Sequence, residues 1–286
     1  MTRYPRIDLG GDAVIVTGGA QGIGLATAHA FARAGARVAI GDLDLERARE
    51  AAAGFDGFAH FLDVTDPESF SEFVSRAQVE HGPIDVLVNN AGVMPNGDFI
   101  ELGPDVDRMT MEVNFFGVVN GMRAKLPSML ARGRGHVVNV ASLAGKVPLK
   151  GLAIYNASKF AVVGLTAATR LEYAGSGVSV TAVLPSAVDT ALASGLDMRP
   201  IPKVRPEAIA DAVVNSLASR QAEIAVPRYV GTLAAAAAIT PEQVLGALRR
   251  LIRDDRALRP DKPDRTAYRD RLAAQTPTNQ STAVPR

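Results

Sequence analysis

The sequence predicts an α/β architecture: a doubly wound parallel sheet with helices on both faces. Three observations carry that prediction. Short β-branched runs alternate with longer segments of helical periodicity through most of the chain, the pattern of successive βαβ units. The runs are apolar at consecutive positions, as strands covered on both faces require. A glycine cluster follows the first run and opens the first helical segment.

The expected strands, about seven in number, are Ala13–Thr17, Arg37–Ile40, Ala59–Leu62, Val86–Asn89, His136–Val140, Val178–Leu184 and Glu223–Val226. Between them Ile23, Ala26, Ala30 and Ala34 recur at helical spacing. Val106, Met109, Val113 and Phe116 do the same in a long segment from Asp105 to Leu130, which reads as one helix. A further helix runs from Tyr155 to Tyr173, with Gly175 and Gly177 as its stop signal. After Val226 the composition changes to an alanine-rich run, an arginine-rich segment from Arg249 to Arg271, and a polar tail from Thr276 to Arg286. This divides the chain into one α/β domain over residues 8–227, a helical C-terminal extension over 228–275 and a disordered tail over 276–286. Aspartates interrupt the basic residues of Arg249–Arg271, so that segment is expected to be a solvated helical face rather than a partner-binding patch.

With 286 residues, 47% of them hydrophobic and 21% charged, the chain can bury a substantial core. A net charge of +1 provides no bulk attraction to nucleic acid or to an anionic membrane. The absence of cysteine excludes a disulfide framework, a thiolate metal site and a cysteine nucleophile. His29, His60, His81 and His136 lack metal-ligand spacing, so no metal is expected. The first apolar run, Ala13 to Val16, is too short for a signal peptide, and Val230 to Ile239 is about half of the roughly 20 residues a spanning helix needs. The expectation is a cytoplasmic protein without stable membrane insertion.

The chemistry begins where strand Ala13–Thr17 runs into Gly18-Gly19-Ala20-Gln21-Gly22-Ile23-Gly24 and then a helix. A strand, a glycine-rich turn and a helix N-terminus let backbone N–H groups approach a pyrophosphate with no side chain in the way. Asp42 ends the next strand, close to the roughly 20-residue spacing at which a dinucleotide fold places its ribose-binding acid. A carboxylate there accepts hydrogen bonds from ribose hydroxyls and repels the 2′-phosphate of NADP, which favours NAD. Its alternative is a solvated turn aspartate that happens to follow a strand.

Tyr155 and Lys159 are four apart near the start of a helix and therefore share a face. An ammonium within about 4–6 Å lowers a phenol's pKa by roughly one to three units, which would fit Tyr155 to exchange a proton with an alcohol near neutral pH. Alone, the pair is ordinary helix surface; its company gives it weight. Ser142 follows strand His136–Val140 at the carboxyl end, where open α/β sheets build their sites, and its hydroxyl can donate to a substrate oxygen.

The motifs together resemble the short-chain dehydrogenase/reductase family from about Leu9 to Pro227. Thr17 to Gly24 is similar to its TGxxxGIG loop, Asn89-Asn90-Ala91-Gly92 to its NNAG, and Tyr155-Asn156-Ala157-Ser158-Lys159 to its YxASK. The resemblance implies a Rossmann-type sheet in the order 3-2-1-4-5-6-7 and an NAD-dependent oxidoreductase acting on a CH–OH group. It implies Tyr155 as acid/base, Lys159 as its modulator and holder of the nicotinamide ribose, Ser142 orienting substrate and Asn114 fixing a relay water. For the cofactor it implies Gly18, Gln21, Gly22, Ile23 and Gly24 at the phosphates, Asp42 and Leu43 at the adenosine ribose, and Asp63 and Val64 flanking the adenine. Asn90, Ala91 and Gly92 would lie beneath the cofactor, and Pro185, Val188 and Thr190 beside the nicotinamide. The resemblance also implies a homodimer or homotetramer. Ser186 stands where the family has glycine, which predicts a locally rearranged backbone.

Residues 190–206 are expected to cover the substrate, with Leu192, Leu196, Met198 and Ile201; Met94, Leu143, Val147, Leu149 and Leu152 lie near the catalytic motifs. These side chains form either an apolar cleft or ordinary core. An apolar cleft suits a steroid-, retinoid- or long-chain-like secondary alcohol or ketone. The competing reading is a nucleotide-sensing protein without catalysis on the same fold. A methyltransferase would share the glycine loop but has no use for Tyr155, Lys159 and Ser142 together.

Overall fold

The computed structural model describes residues 4–194, 203–241, 243–244, 246, 265–266 and 268. The chain alternates strand and helix: β1 (Ala13–Thr17), α1 (Gly22–Arg33), β2 (Arg37–Asp42), α2 (Leu45–Ala53), β3 (Phe58–Phe61), α3 (Pro67–His81) and β4 (Ile84–Asn89). There follow α4 (Pro104–Met111), α5 (Gly117–Arg132), β5 (Gly135–Val140), α6 (Ala153–Glu172) and β6 (Val178–Pro185). A two-residue ribbon of β7 (Ala187–Val188) and β8 (Lys203–Val204) precedes α7 (Pro206–Ser219), β9 (Glu223–Val226) and α8 (Arg228–Ala238).

Seven strands form one parallel sheet in the order β3-β2-β1-β4-β5-β6-β9, which is the expected order with the small ribbon inserted before the last strand. Alternate residues of each strand feed two cores. Ala13 and Ile15 of β1 and Leu87 of β4 pack with Phe70 and Phe73 of α3, Met122 and Met129 of α5 and Val162 of α6. Val14 and Val16, with Val86 and Val88, pack on the opposite face with Phe31 of α1, Ala48 of α2 and Val213 of α7. A strand with apolar residues on both parities is stable only between two such layers, which explains the unbroken apolar runs.

Two expectations change in detail. The Asp105–Leu130 segment is helical but not one α-helix: a π-helical turn over Glu112–Phe116 separates α4 from α5. Such a turn carries an inserted residue that hydropathy periodicity cannot register. Ser186 does not adopt a left-handed conformation, and its N–H donates to the Val226 carbonyl at 2.9 Å, so serine is accommodated without strain. Leu196, Met198, Ile201 and the tail over 276–286 lie outside the described residues. Among the described residues no helix is long and apolar enough to cross a membrane, and no group of side chains has metal-binding form.

His136 of β5 is fully buried, with Nδ1 2.7 Å from Ser179 Oγ and Nε2 2.8 Å from Ser216 Oγ. Burial, aided by the Arg220 guanidinium, holds its pKa well below the ordinary histidine value. The unfolded chain therefore binds this proton more readily than the folded one, so the contribution to stability is full above about pH 6.5 and is lost as pH falls below it. The urea midpoint is expected to drop between about pH 7.5 and pH 5.5, and to drop less in His136→Asn. Equal drops in the two proteins would contradict the assignment.

Candidate active site

The sheet order reverses between β1 and β4, and the chain leaves their carboxyl ends toward opposite faces of the sheet, which opens a crevice there. One polar cluster holds the two strand ends in place. Asn90 Nδ2 donates to the carbonyls of Thr17 (2.9 Å) and Gly18 (3.1 Å), while Thr17 Oγ1 accepts from the N–H groups of Asn90 (3.0 Å) and Ala91 (3.1 Å).

The loop on this support needs its glycines. A Cβ at Gly24 would sit 2.0 Å from the Gly18 carbonyl oxygen, and one at Gly18, where φ is +64°, 2.9 Å from the Ala91 Cα. Both contacts are with backbone and cannot yield. Gly18, Gln21, Gly22 and Ile23 line the cleft, whereas Gly24 does not; it lets helix and loop pack closely behind it. With glycines at the first turn of α1, the backbone N–H groups of the loop are open to a phosphate-bearing ligand.

Asp42, Leu43, Asp63 and Val64 line the cleft beyond the loop. Asp42 Oδ2 accepts from the Ala20 N–H at 3.0 Å and Oδ1 from the Asp44 N–H at 3.2 Å, so the acid is fixed against the loop. Asp63 Oδ1 accepts from the Thr65 N–H (2.9 Å) and hydroxyl (2.7 Å), closing a turn that presents Val64. Arg47 of α2 lines the same end.

The residues expected to transfer the proton gather at the carboxyl end of β5. Ser142 caps a short 3₁₀ turn, accepting the Ala144 N–H at 3.1 Å, and its hydroxyl lies beside the Tyr155 phenol, where it favours the charged form. Tyr155 lies in the first turn of α6, 7% exposed, and Lys159 follows one turn later. Lys159 Nζ donates to the Val140 carbonyl at 3.1 Å and stands 5.8 Å from the Tyr155 ring centroid. The 3₁₀ turn can approach α6 because of Gly145, whose Cβ would fall 2.6 Å from the Lys159 carbonyl oxygen.

The expected depression of Tyr155 by Lys159 is reversed here. Burial pushes the phenol up to about 12; Ser142 works against that rise and Tyr268 adds to it. Burial also pushes Lys159 down to about 8. Desolvation penalises the charged form of each group.

Asn114 sits in the π-helical turn, fully buried and off the cleft lining. Its Oδ1 accepts from the Val93 N–H (2.8 Å), and its Nδ2 donates to the Val93 carbonyl (2.9 Å) and to Ser158 Oγ (3.0 Å). These bonds join the segment after β4 to α6. Asn90, Ala91, Gly92, Pro185, Val188 and Thr190 line the cleft, with Thr190 facing Gly22 across it.

Met94, Leu149, Leu152 and Leu192 join Tyr155 in a small apolar cluster that lines the same cleft. The whole cavity measures about 1280 Å³, larger than the roughly 300–1,000 Å³ of a site for one small ligand. Val230, Ala234 and Ala237 of α8 and Tyr268 complete its lining. Arg265, in the segment expected to be solvated, is fully buried and hydrogen-bonded to Met94, Asn96 and Leu192. Charge composition reports average exposure and cannot single out one arginine that finds an enclosed set of acceptors.

The short chain dehydrogenase family profile matches residues 12–199. Oxidoreductase UcpA of Escherichia coli is 36% identical over 232 residues, covering 79% of this chain and 87% of that protein. Probable oxidoreductase EphD of Mycobacterium tuberculosis is 35% identical over 243 residues, covering 76% of this chain; the chain spans only 41% of that relative's length. A short chain dehydrogenase/reductase from Burkholderia phymatum, solved in complex with NAD, matches with a TM-score of 0.73 at 26% identity over 80% of this chain and 93% of that one. The protein gox2181 matches with a TM-score of 0.71 at 28% identity over 79% of this chain and 97% of that one. Sheet order, glycine loop, the Ser142, Tyr155 and Lys159 cluster, and these matches agree: the chain belongs to the short-chain dehydrogenase/reductase family.

Proposed function

We propose that the protein is a nicotinamide-dependent oxidoreductase that interconverts a secondary alcohol and a ketone, prefers NAD, and takes a lipophilic substrate of steroid-, retinoid- or long-chain-like character. The observation that carries this reading is that Tyr155 and Ser142 open onto the same cleft as the glycine loop and Asp42. The NAD complex of the Burkholderia phymatum relative supports the choice of cofactor.

Gly18, Gln21, Gly22 and Ile23 would hold the phosphates, Asp42 and Leu43 the adenosine ribose, and Asp63, Val64, Asn90, Ala91 and Gly92 the adenine and the central portion. Lys159, Pro185, Val188 and Thr190 would hold the nicotinamide end. When bound, the cofactor supplies or accepts the hydride. Tyr155 gives its phenolic proton to the carbonyl oxygen in reduction and takes the hydroxyl proton in oxidation. Ser142, beside the phenol, shares that oxygen and fixes the substrate's approach. Lys159, with its pKa near 8, is mostly protonated at neutral pH and balances negative charge developing on the phenol. Asn114 keeps the Val93 segment and α6 in register. Met94, Leu149, Leu152 and Leu192 shed water from the reacting centre and receive the apolar body of the substrate.

A phenol pushed up to about 12 is protonated at rest, so the site is set to donate a proton. Alcohol oxidation needs the minor deprotonated form, whose fraction grows about tenfold per pH unit below the pKa. The value of kcat/KM for oxidation is therefore expected to be higher at about pH 9 than at about pH 7, while the Tyr155 contribution to reduction stays flat over the same interval, because a phenol at about 12 is still protonated at pH 9. Steady-state assays in both directions check this.

Tyr155→Phe is expected to abolish turnover of lipophilic alcohols while leaving NAD affinity within a few fold, measured by reduced-nicotinamide absorbance and by titration. Near-normal turnover would refute the mechanism; NAD binding without turnover by the unaltered protein would favour a sensor. Two like charges about 4 Å apart near a protein surface repel by about 4 kcal/mol, so Asp42→Ala is expected to cut the preference for NADH over NADPH by about tenfold or more. Fluorescence titration with the two reduced cofactors reads that change. A homodimer or homotetramer is part of the same proposal, supported by the exposed Phe116 and Phe160.

A further inference from the structure

The apolar walls beside Tyr155 come from separate stretches of chain. Met94 follows β4, Leu149 and Leu152 follow β5, and Leu192 follows β7. Arg265 ties the first of these to the last. Its Nε donates to Asn96 Oδ1 at 2.6 Å, one terminal nitrogen to the Leu192 carbonyl at 2.8 Å, and the other to the Met94 carbonyl. A guanidinium is suited to this because its donors project in a fixed planar fork, so three acceptors on two walls are held in one geometry.

Tyr268 is placed by the same arrangement. Its ring lies under the Arg265 guanidinium, 4.4 Å from the centroid, and its hydroxyl oxygen accepts the Met94 N–H at 2.8 Å. The side chain is 7% exposed and forms part of the cleft lining that also includes Tyr155. A side chain held at one point swings aside for a bulky ligand. One gripped at both the ring face and the hydroxyl, by partners that are themselves buried, resists displacement.

We propose that Tyr268, pinned by Arg265, is a specificity-determining residue that limits the size of the alcohol or ketone accepted beside Tyr155. The inference rests on the reading of Tyr155 as the proton-transfer group of an oxidoreductase. It assigns a role to two residues that lie beyond the span of the family match, residues 12–199.

The test uses the full chain with NAD and three secondary alcohols of rising bulk: cyclohexanol, tetralol and a hydroxysteroid. Relative to the unaltered protein, Tyr268→Ala is expected to raise the ratio of kcat/KM for the hydroxysteroid over cyclohexanol by about tenfold or more, Tyr268→Trp to lower it, and Tyr268→Phe, which keeps the ring contact but loses the hydroxyl grip, to raise it less than alanine does. A ratio that moves with neither alanine nor tryptophan overturns the proposal. If the alanine variant does not fold, the tryptophan variant alone decides. Thermal stabilisation by the corresponding ketones in the presence of NAD reads the same ratio without turnover. Ketone binding without turnover therefore sinks the oxidoreductase reading and still decides the role of Tyr268. An unaltered protein that neither binds nor turns over any of the compounds overturns both.

Discussion

The close junction of β1 with β4 at the reversal of the sheet is the constraint on which the rest of the structure depends. Thr17 and Asn90 exchange side-chain-to-backbone hydrogen bonds across it, so the glycine loop and the segment leading to Met94 leave the sheet from one rigid point. The loop then packs so tightly that the Gly24 Cα approaches the Gly18 carbonyl with no room for a methyl group. A site built on strand ends in this way is positioned by the ladder hydrogen bonds behind it, and loops alone do not offer that precision.

Burial sets the electrostatics around Tyr155 and Lys159. Tyr155 and Lys159 are both taken out of water, and each is driven toward its neutral form: the phenol up to about 12, the amine down to about 8. Ser142 favours the phenolate and so offsets part of the desolvation. The geometry that enforces this is secured from behind the site. Asn114 joins Val93 to Ser158 within α6, and Lys159 is anchored to the carbonyl of Val140 at the end of β5. These bonds tie α6 to the strand ends on either side of the cleft.

The cleft has two parts of different origin. The half lined by Gly18, Asp42 and Asn90 is assembled from strand ends within the matched family span. The other half takes Val230 and Ala237 from α8 and Tyr268 from still later in the chain. Arg265 connects Tyr268 to the walls formed by Met94 and Leu192, so this end of the cleft is closed by parts of the chain distant from one another in sequence.

Sequence by itself determined the sheet, its helical layers and the chemical core of the site. Consecutive apolar runs have a low-energy home only between two layers, and the glycine loop, Asp42, Ser142, Tyr155 and Lys159 lie at spacings whose local geometry is set by a strand end or a helix turn. Tertiary structure alone decided the break of the Asp105–Leu130 segment into α4, a π-helical turn and α5, because one inserted residue leaves the hydropathy period almost unchanged. It alone decided that Tyr155 is pushed up rather than down, since desolvation depends on every neighbour and helix spacing reports only one. The same holds for Arg265: its composition matched a solvated surface, and its burial follows from carbonyls at Met94 and Leu192 that only the folded chain brings within reach.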